Sequence, residues 1–134
     1  MVSDPGLDAP RCPLCGAATH AFCEDRARRY VECPGCGLVL ADPASHLSAS
    51  DERAIYDLHQ NDPADARYRA FLARLAAPLQ AKLTPGMRGL DFGCGPGPVL
   101  AQMLREAGMA MCEYDPFYAP DATLLVTPYD FVTC

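Results

Sequence analysis

The order of apolar and polar positions divides this chain of 134 residues into three stretches. Up to about residue 50, short apolar runs at 30–32 and 38–40 lie beside turn-forming residues, which predicts short strands. Residues 51–84 place apolar side chains at helical spacing. From residue 85 onward, apolar runs that end in acids or glycines alternate with a helical pattern, which predicts a parallel sheet built from strand–helix–strand units.

The third stretch begins after a turn at 84–86. A helix is predicted to start at about residue 98 and to end at Gly108, and it joins two strands in a unit whose length fits one right-handed crossover. A shorter apolar run and the last residues of the chain add two candidate strands. The four predicted strands cover residues 87–92, 109–114, 122–126 and 129–134.

The middle stretch predicts two helices. The first should end before Asp62 and Pro63, and Asp62 is a good N-cap for the second, with Pro63 at its first position. Pro78 should kink or divide the second helix near Arg74, because a proline ring clashes with the carbonyl four residues earlier. We expect the apolar stripe of this helix to pack on the sheet: Tyr68, Phe71, Leu72, Leu75, Leu79 and Leu83.

Two copies of the pattern Cys-Pro-x-Cys-Gly occur in the first stretch, with 17 residues between the inner cysteines. Two residues between paired thiolates let a tight turn direct both sulfurs at one ion, and four thiolates make a closed tetrahedral site. We therefore predict a structural zinc ion; iron or a pair of disulfides are the alternatives. The predicted ligands are Cys12, Cys15, Cys33 and Cys36. His20 and Cys23, between the two pairs, are expected to be ordinary hairpin residues.

The composition of the chain limits the classes of binding partner and the cellular compartment that we expect. The formal net charge is −6 at pH 7, which argues against a broad electrostatic grip on nucleic acid. No stretch approaches the ~18 apolar residues that span a bilayer, so we expect no membrane association. Residues 1–6 lack the basic and then apolar order of a signal peptide, and we expect a cytoplasmic protein whose eight cysteines are reduced.

The most specific signal is the segment 89–97, Gly-Leu-Asp-Phe-Gly-Cys-Gly-Pro-Gly, which leads from a predicted strand into a helix. Alternate glycines allow a sharp turn and the close approach of a ligand to the backbone. A dinucleotide-binding loop would require a small residue at position 98, which is Pro98, so a nicotinamide-dependent enzyme is disfavoured. The pattern Asp-x-Gly-x-Gly-x-Gly instead resembles the first motif of class I S-adenosylmethionine-dependent methyltransferases.

This resemblance implies a site for S-adenosyl-L-methionine. Asp91 and the backbone after it would hold the methionine end, since an acid suits its ammonium group. An acid at the end of the second strand suits a ribose, and we choose Asp115, ~20 residues beyond the glycines, with Glu113 as the alternative. Tyr114 or Pro116 would lie beside the adenine. The predicted cofactor-binding residues are Asp91, Phe92, Gly93, Cys94, Gly95, Gly97, Tyr114 and Asp115.

The resemblance also implies the architecture. We expect an α/β fold with an incomplete Rossmann-like sheet, preceded by a small zinc-ribbon lobe and a helical segment. The predicted domains are a zinc ribbon at 1–50, a segment covering the cofactor at 51–84 and the first half of a methyltransferase domain at 85–134. In the covering segment Tyr56, His59 and Asn61 are the polar residues that could reach the cofactor, and the resemblance favours Tyr56 and His59. A class I sheet has seven strands and at most four are predicted, so we expect a truncated chain whose open sheet edge allows self-association.

The function that the resemblance implies is methyl transfer from S-adenosylmethionine to an unknown acceptor. A small molecule is the favoured acceptor, RNA and protein are the alternatives, and no catalytic base is assigned. The alternative function is a zinc-ribbon module that binds nucleic acid or protein and carries the α/β part as a non-catalytic scaffold. That alternative requires a basic ribbon face, whereas residues 1–50 contain more acids than bases.

Overall fold

The computed structural model describes residues 10–134 and divides the chain into two compact units between Ser48 and Ala49. Residues 1–9, which include the stretch without a signal-peptide pattern, lie outside the described residues. Each unit has its own sheet, and the helices longer than one turn belong to the second unit. The domain boundaries at residues 50 and 84 stay a prediction. Within residues 10–134, no helix combines the length and apolarity that crossing a bilayer requires.

The first unit is a three-stranded antiparallel sheet. Strands β1 (His20–Glu24), β2 (Arg29–Glu32) and β3 (Val39–Ala41) pair in chain order, and a 3₁₀ helix follows at Pro43–Ser45. This is the ribbon that the sequence predicts, and His20 and Cys23 lie exposed on β1 as expected. Its buried apolar residues within the described range are Cys12, Val31 and Cys33. Two of these three are predicted metal ligands, so the apolar core of the ribbon is very small.

The second unit begins with helices α1 (Ala49–Tyr56) and α2 (Ala66–Gln80). The prediction that Asp62 caps α2 is wrong, because Asp65 accepts from the N–H groups of Arg67 and Tyr68. Asp62 instead accepts from Ala64 N–H in the preceding turn.

The predicted division of α2 near Arg74 is also wrong, since the helix runs unbroken through Pro78. Pro78 lies in the last turn of α2, two residues before its end at Gln80. One missing N–H there is tolerated because the preceding turns keep the helix continuous.

A parallel sheet of β4 (Arg88–Phe92), β5 (Ala110–Tyr114) and β6 (Phe131–Thr133) forms the rest of the unit, in the order β5-β4-β6. Helix α3 (Val99–Glu106) connects β4 to β5 and ends before Gly108, whose φ is +90°. The strand predicted over 122–126 is wrong. Those residues form a 3₁₀ helix because Asp121 caps it through the N–H of Thr123.

The core of the second unit lies on one face of this sheet. Buried residues of α3 and β5 meet there, and Leu79 of α2 and Leu83, which follows the helix, pack against them. The cluster comprises Ala101, Leu104, Met109 and Met111, with Phe131 of β6 beside it. Leu79 in the last turn of α2 thus packs on a cluster that α3 and β5 share, whereas Phe71 and Leu75, also expected to pack on the sheet, are exposed.

Candidate functional site

The glycine loop leaves the carboxyl end of β4 and is held against the neighbouring strand. The N–H groups of Gly93 and Cys94 both donate to the carbonyl of Tyr114, at 2.7 and 3.1 Å. Gly93 and Gly95 have φ values of +75° and +65°, which residues with a Cβ rarely adopt. The sequence therefore requires glycine at these two positions for the loop to turn toward β5.

Asp115, directly after β5, fixes the other side of the same loop. One of its carboxylate oxygens accepts from Gly95 N–H at 3.0 Å, and the other accepts from the N–H groups of Phe117 and Tyr118 at 2.8 and 3.1 Å. The residue is 8% exposed. The carboxylate thus joins the glycine loop to the turn after β5.

Asp91 is the second buried carboxylate at this edge of the sheet, with 6% of its surface exposed. Thr133 on β6 donates its hydroxyl to Asp91 Oδ1 at 2.7 Å. Burial raises the pKa of Asp91, and the Thr133 hydrogen bond opposes that rise. The charge of Glu113 raises this pKa further, and Arg105 lowers it. The carboxylate therefore carries its negative charge in a poorly solvated place.

A cavity of about 370 Å³ opens beside Asp91. Its volume falls within the range of small-molecule sites. One wall consists of the glycine loop, the start of α3 and Cys134, the residue that follows β6. A face of α2 forms the other wall. The lining residues are Tyr68, Phe71, Leu72, Arg74, Leu75, Asp91, Gly93, Cys94, Gly97, Pro98, Val99, Leu100 and Cys134.

Gly97 stands where the loop meets the segment before α2. A Cβ on Gly97 would lie 2.8 Å from both the Cβ and the carbonyl oxygen of Asn61, closer than atoms can approach. Glycine is therefore needed at position 97 for close packing rather than for its backbone angles. Asn61 is thus placed against the loop, while Tyr56 and His59 pack edge to face on each other and do not line the cavity.

The predicted cofactor residues are brought to one edge of the sheet, and they fall into two groups there. Asp91, Gly93, Cys94 and Gly97 line the cavity, whereas Phe92, Gly95, Tyr114 and Asp115 do not. The rings of Phe92 and Tyr114 stack with their centroids 5.5 Å apart. Burial, followed by the charges of Asp115, Glu113 and Asp91, raises the pKa of the Cys94 thiol to about 11. At neutral pH this thiol is protonated and is a poor nucleophile.

Sequence reasoning expected residues 51–84 to cover the cofactor but assigned the apolar face of α2 to packing on the sheet, and it did not find the hydrogen bond from Thr133 to Asp91. Helical spacing identifies Tyr68, Phe71, Leu72 and Leu75 as one face, but spacing does not distinguish a face that packs on a sheet from one that lines a cavity. Thr133 lies in an apolar run. The sequence does not indicate the partner of its hydroxyl, because that partner lies on another strand.

The four predicted metal ligands form one cluster in the first unit. Their Sγ atoms all lie within 4.8 Å of one another, and the shortest separations are 3.4 Å for Cys15–Cys33 and 3.6 Å for Cys12–Cys36. The two knuckles have the same backbone bonds. In each, the first cysteine donates to the carbonyl five residues later and accepts from the glycine four residues later.

This donor set fits a tetrahedral cation. Zn–S bonds of ~2.3 Å give a tetrahedron with edges of ~3.8 Å, close to the sulfur separations here. A backbone hydrogen bond from Cys15 lowers the pKa of Cys12 to about 7. For Cys36, a backbone hydrogen bond from Leu38 lowers the pKa, but burial and the neighbouring thiols outweigh it and raise the pKa to about 12. Four thiolates so close together need a cation to ionise together.

Comparison with known protein families identifies the family to which the second unit is similar. Residues 58–134, more than half of the chain, match the family model described as a methyltransferase domain. The matched range contains α2, the glycine loop, Asp115 and all three parallel strands. No curated protein matches the chain.

Proposed function

Because this chain belongs to the methyltransferase domain family, we propose that it transfers a methyl group with S-adenosyl-L-methionine as the donor. The observation that carries the proposal is the cavity of about 370 Å³ bounded by the glycine loop and Asp91. The α/β architecture is that of a class I methyltransferase domain, with three parallel strands among residues 10–134.

In this proposal Asp91 binds the ammonium group of the donor's methionine end. The carboxylate is buried, lines the cavity, and engages the protein through Oδ1. A cation that enters the cavity would pair with a poorly hydrated anion, where charge interactions are stronger than in water. The backbone from Phe92 to Gly97 would follow the same part of the donor, since the loop glycines leave room for close approach.

Asp115 is the proposed ribose ligand. A carboxylate offers about four lone-pair positions, and backbone N–H groups occupy three of them here. The oxygen bound to Gly95 N–H retains one lone-pair position, which we assign to a ribose hydroxyl. The alternative, Glu113, pairs with Arg105 Nη1 at 2.5 Å, which supports the choice of Asp115. Tyr114 would lie beside the adenine.

S-adenosylmethionine, when bound, supplies a methyl group that its sulfonium already makes electrophilic. The chain's own residues would bind, orient and exclude water; such alignment accounts for roughly 7–11 kcal/mol in well-oriented reactions. We propose that residues 51–84 cover the donor, because α2 supplies one wall of the cavity. A small-molecule acceptor is proposed, since the net charge of −6 disfavours nucleic acid.

We also propose that Cys12, Cys15, Cys33 and Cys36 bind one zinc ion. Four sulfur ligands leave no open position for water or substrate, so the zinc would be structural. Its contribution would be the stability of a ribbon whose core is too small to fold without it.

The first test is calorimetric titration of the zinc-loaded chain with S-adenosylhomocysteine, with NADH as the control ligand. We expect binding of S-adenosylhomocysteine in the micromolar range and none of NADH. A folded, zinc-loaded chain that binds neither would contradict the donor assignment. Salt-dependent binding of RNA by the same sample would then support the zinc-ribbon module.

The variant Asp91→Asn should weaken S-adenosylhomocysteine binding and stabilise the free protein. Loss of a charged partner for the ammonium should cost about 1.5–3 kcal/mol of binding free energy. Burial raises the pKa of Asp91 in the folded state, so its ionised form destabilises the fold. The stabilisation by Asn should be small below about pH 4 and should grow as the pH rises through the raised pKa.

Thermal unfolding without ligand, measured across this pH range, checks the second expectation for Asp91→Asn. A melting temperature below that of the wild type at neutral pH would show that the charge is compensated. Unchanged affinity would remove Asp91 from the donor site.

A further inference from the structure

We propose that Thr133 is a positioning residue, whose hydroxyl holds the Asp91 carboxylate so that its second oxygen faces the cavity. The inference rests on the proposed function, because it assigns the second oxygen to the ammonium group of the donor. Thr133 does not line the cavity itself, so it would act through Asp91.

The sheet brings these two residues together across 42 positions of sequence. In the parallel register of β4 and β6, Asp91 pairs directly with Thr133, so both side chains emerge on the same face. The hydroxyl donates to Oδ1 at 2.7 Å, and the two residues are 5% and 6% exposed. A short hydrogen bond between two buried side chains on rigid strands fixes the carboxylate orientation.

The second oxygen, Asp91 Oδ2, is left for a ligand. Among the contacts within residues 10–134, the Thr133 hydroxyl is the hydrogen-bond partner of this side chain. No fully buried side-chain oxygen or nitrogen in the described range lacks a partner, so Oδ2 keeps some exposed surface. Asp91 lines the cavity, and in this proposal Oδ2 is the oxygen that a ligand in the cavity would meet.

The hydroxyl also affects the charge of Asp91. Its hydrogen bond lowers the pKa of Asp91, against the rise that burial causes. The other charged groups that act on Asp91 are Glu113 on β5, which raises the pKa, and Arg105 on α3, which lowers it. Arg74 of α2 and the thiols of Cys94 and Cys134 share the cavity. Without the hydroxyl, the carboxylate would take up a proton at higher pH.

A matched pair of variants tests this role. Thr133→Val keeps the shape and the strand preference of threonine and removes the hydroxyl, whereas Thr133→Ser keeps the hydroxyl. At neutral pH we expect Thr133→Val to bind S-adenosylhomocysteine about tenfold more weakly than the wild type, and Thr133→Ser to bind within about twofold. The pH at which binding is half lost should rise in Thr133→Val and stay unchanged in Thr133→Ser.

A readout without ligand separates this inference from the proposed function. The pKa of Asp91, followed by carboxyl ¹³C NMR of the free chain, should rise in Thr133→Val and not in Thr133→Ser. A wild type that binds S-adenosylhomocysteine, with a folded Thr133→Val that matches its affinity and pKa, would overturn the role of Thr133 and leave the function intact. Equal loss of affinity in both variants would overturn it as well. A wild type that does not bind would overturn the proposed function, whatever the NMR result.

Discussion

Replacement of Cys33 by serine should abolish the proposed zinc binding of the first unit and unfold that unit. Cys33 has no exposed surface, and it lies 3.4 Å from the sulfur of Cys15. Structural zinc in small peptides contributes on the order of 10–16 kcal/mol of apparent binding free energy. The ribbon has few other buried apolar residues that could compensate for that loss. Metal content and the amide NMR signals of the ribbon measure the effect.

The matched control is Cys23→Ser, which replaces an exposed cysteine of β1 outside the cluster. It should retain one zinc ion per chain and the ribbon's NMR signals. A Cys33→Ser protein whose ribbon stays folded after chelation would contradict the assignment of a structural metal. Retention of one zinc ion per chain by Cys33→Ser would show that the cluster is not the binding site.

The variant Asp115→Ala should disorder the glycine loop and weaken S-adenosylhomocysteine binding by about 1.5–3 kcal/mol, the range for losing hydrogen bonds to a charged group. The carboxylate supplies the partner of Gly95 N–H and of two N–H groups in the turn after β5. Its removal takes away the proposed ribose ligand and leaves these donors without their acceptor. Calorimetry measures the affinity, and hydrogen exchange at Gly95 reports the loop.

A suitable control is Asp121→Ala, because Asp121 also accepts a backbone N–H but lies on the surface beyond the loop. Its affinity should equal that of the wild type. Unchanged affinity in Asp115→Ala, together with reduced affinity in Glu113→Gln, would show that Glu113 and not Asp115 binds the ribose.

Features set by a few neighbouring residues could be predicted from the sequence. The two cysteine knuckles and the glycine loop combine residue types at spacings that few other structures require. The strand–helix–strand unit from β4 to β5 follows from apolar runs of the right length. The cysteine cluster, the α/β fold and the family are confirmed by the structure and the family match.

Errors arose where two local arrangements suit the same residues. Asp62 and Asp65 both precede α2 and both accept backbone N–H groups, so the sequence does not say which one caps the helix. The run at 122–126 is apolar and contains β-branched residues, as a strand would be, but Asp121 before it favours a helical turn.

Contacts between segments that are distant in the sequence could not be predicted from it. The hydrogen bond from Thr133 to Asp91 depends on which strand lies next to β4 and in what register. The cavity depends on how the exposed residues Phe71 and Leu75 of α2 stand relative to the loop. The roles of the predicted cofactor residues stay predictions until binding is measured.

The bonds that Asp115 makes to the loop and to the turn after β5 affect the thermodynamics of ligand capture. A glycine-rich loop loses more conformational entropy on becoming ordered than a loop of the same length without glycine. Here that loss occurs when the chain folds, because the loop is already bound at Gly93, Cys94 and Gly95. A ligand therefore meets an ordered surface, and more of its interaction energy remains available as affinity.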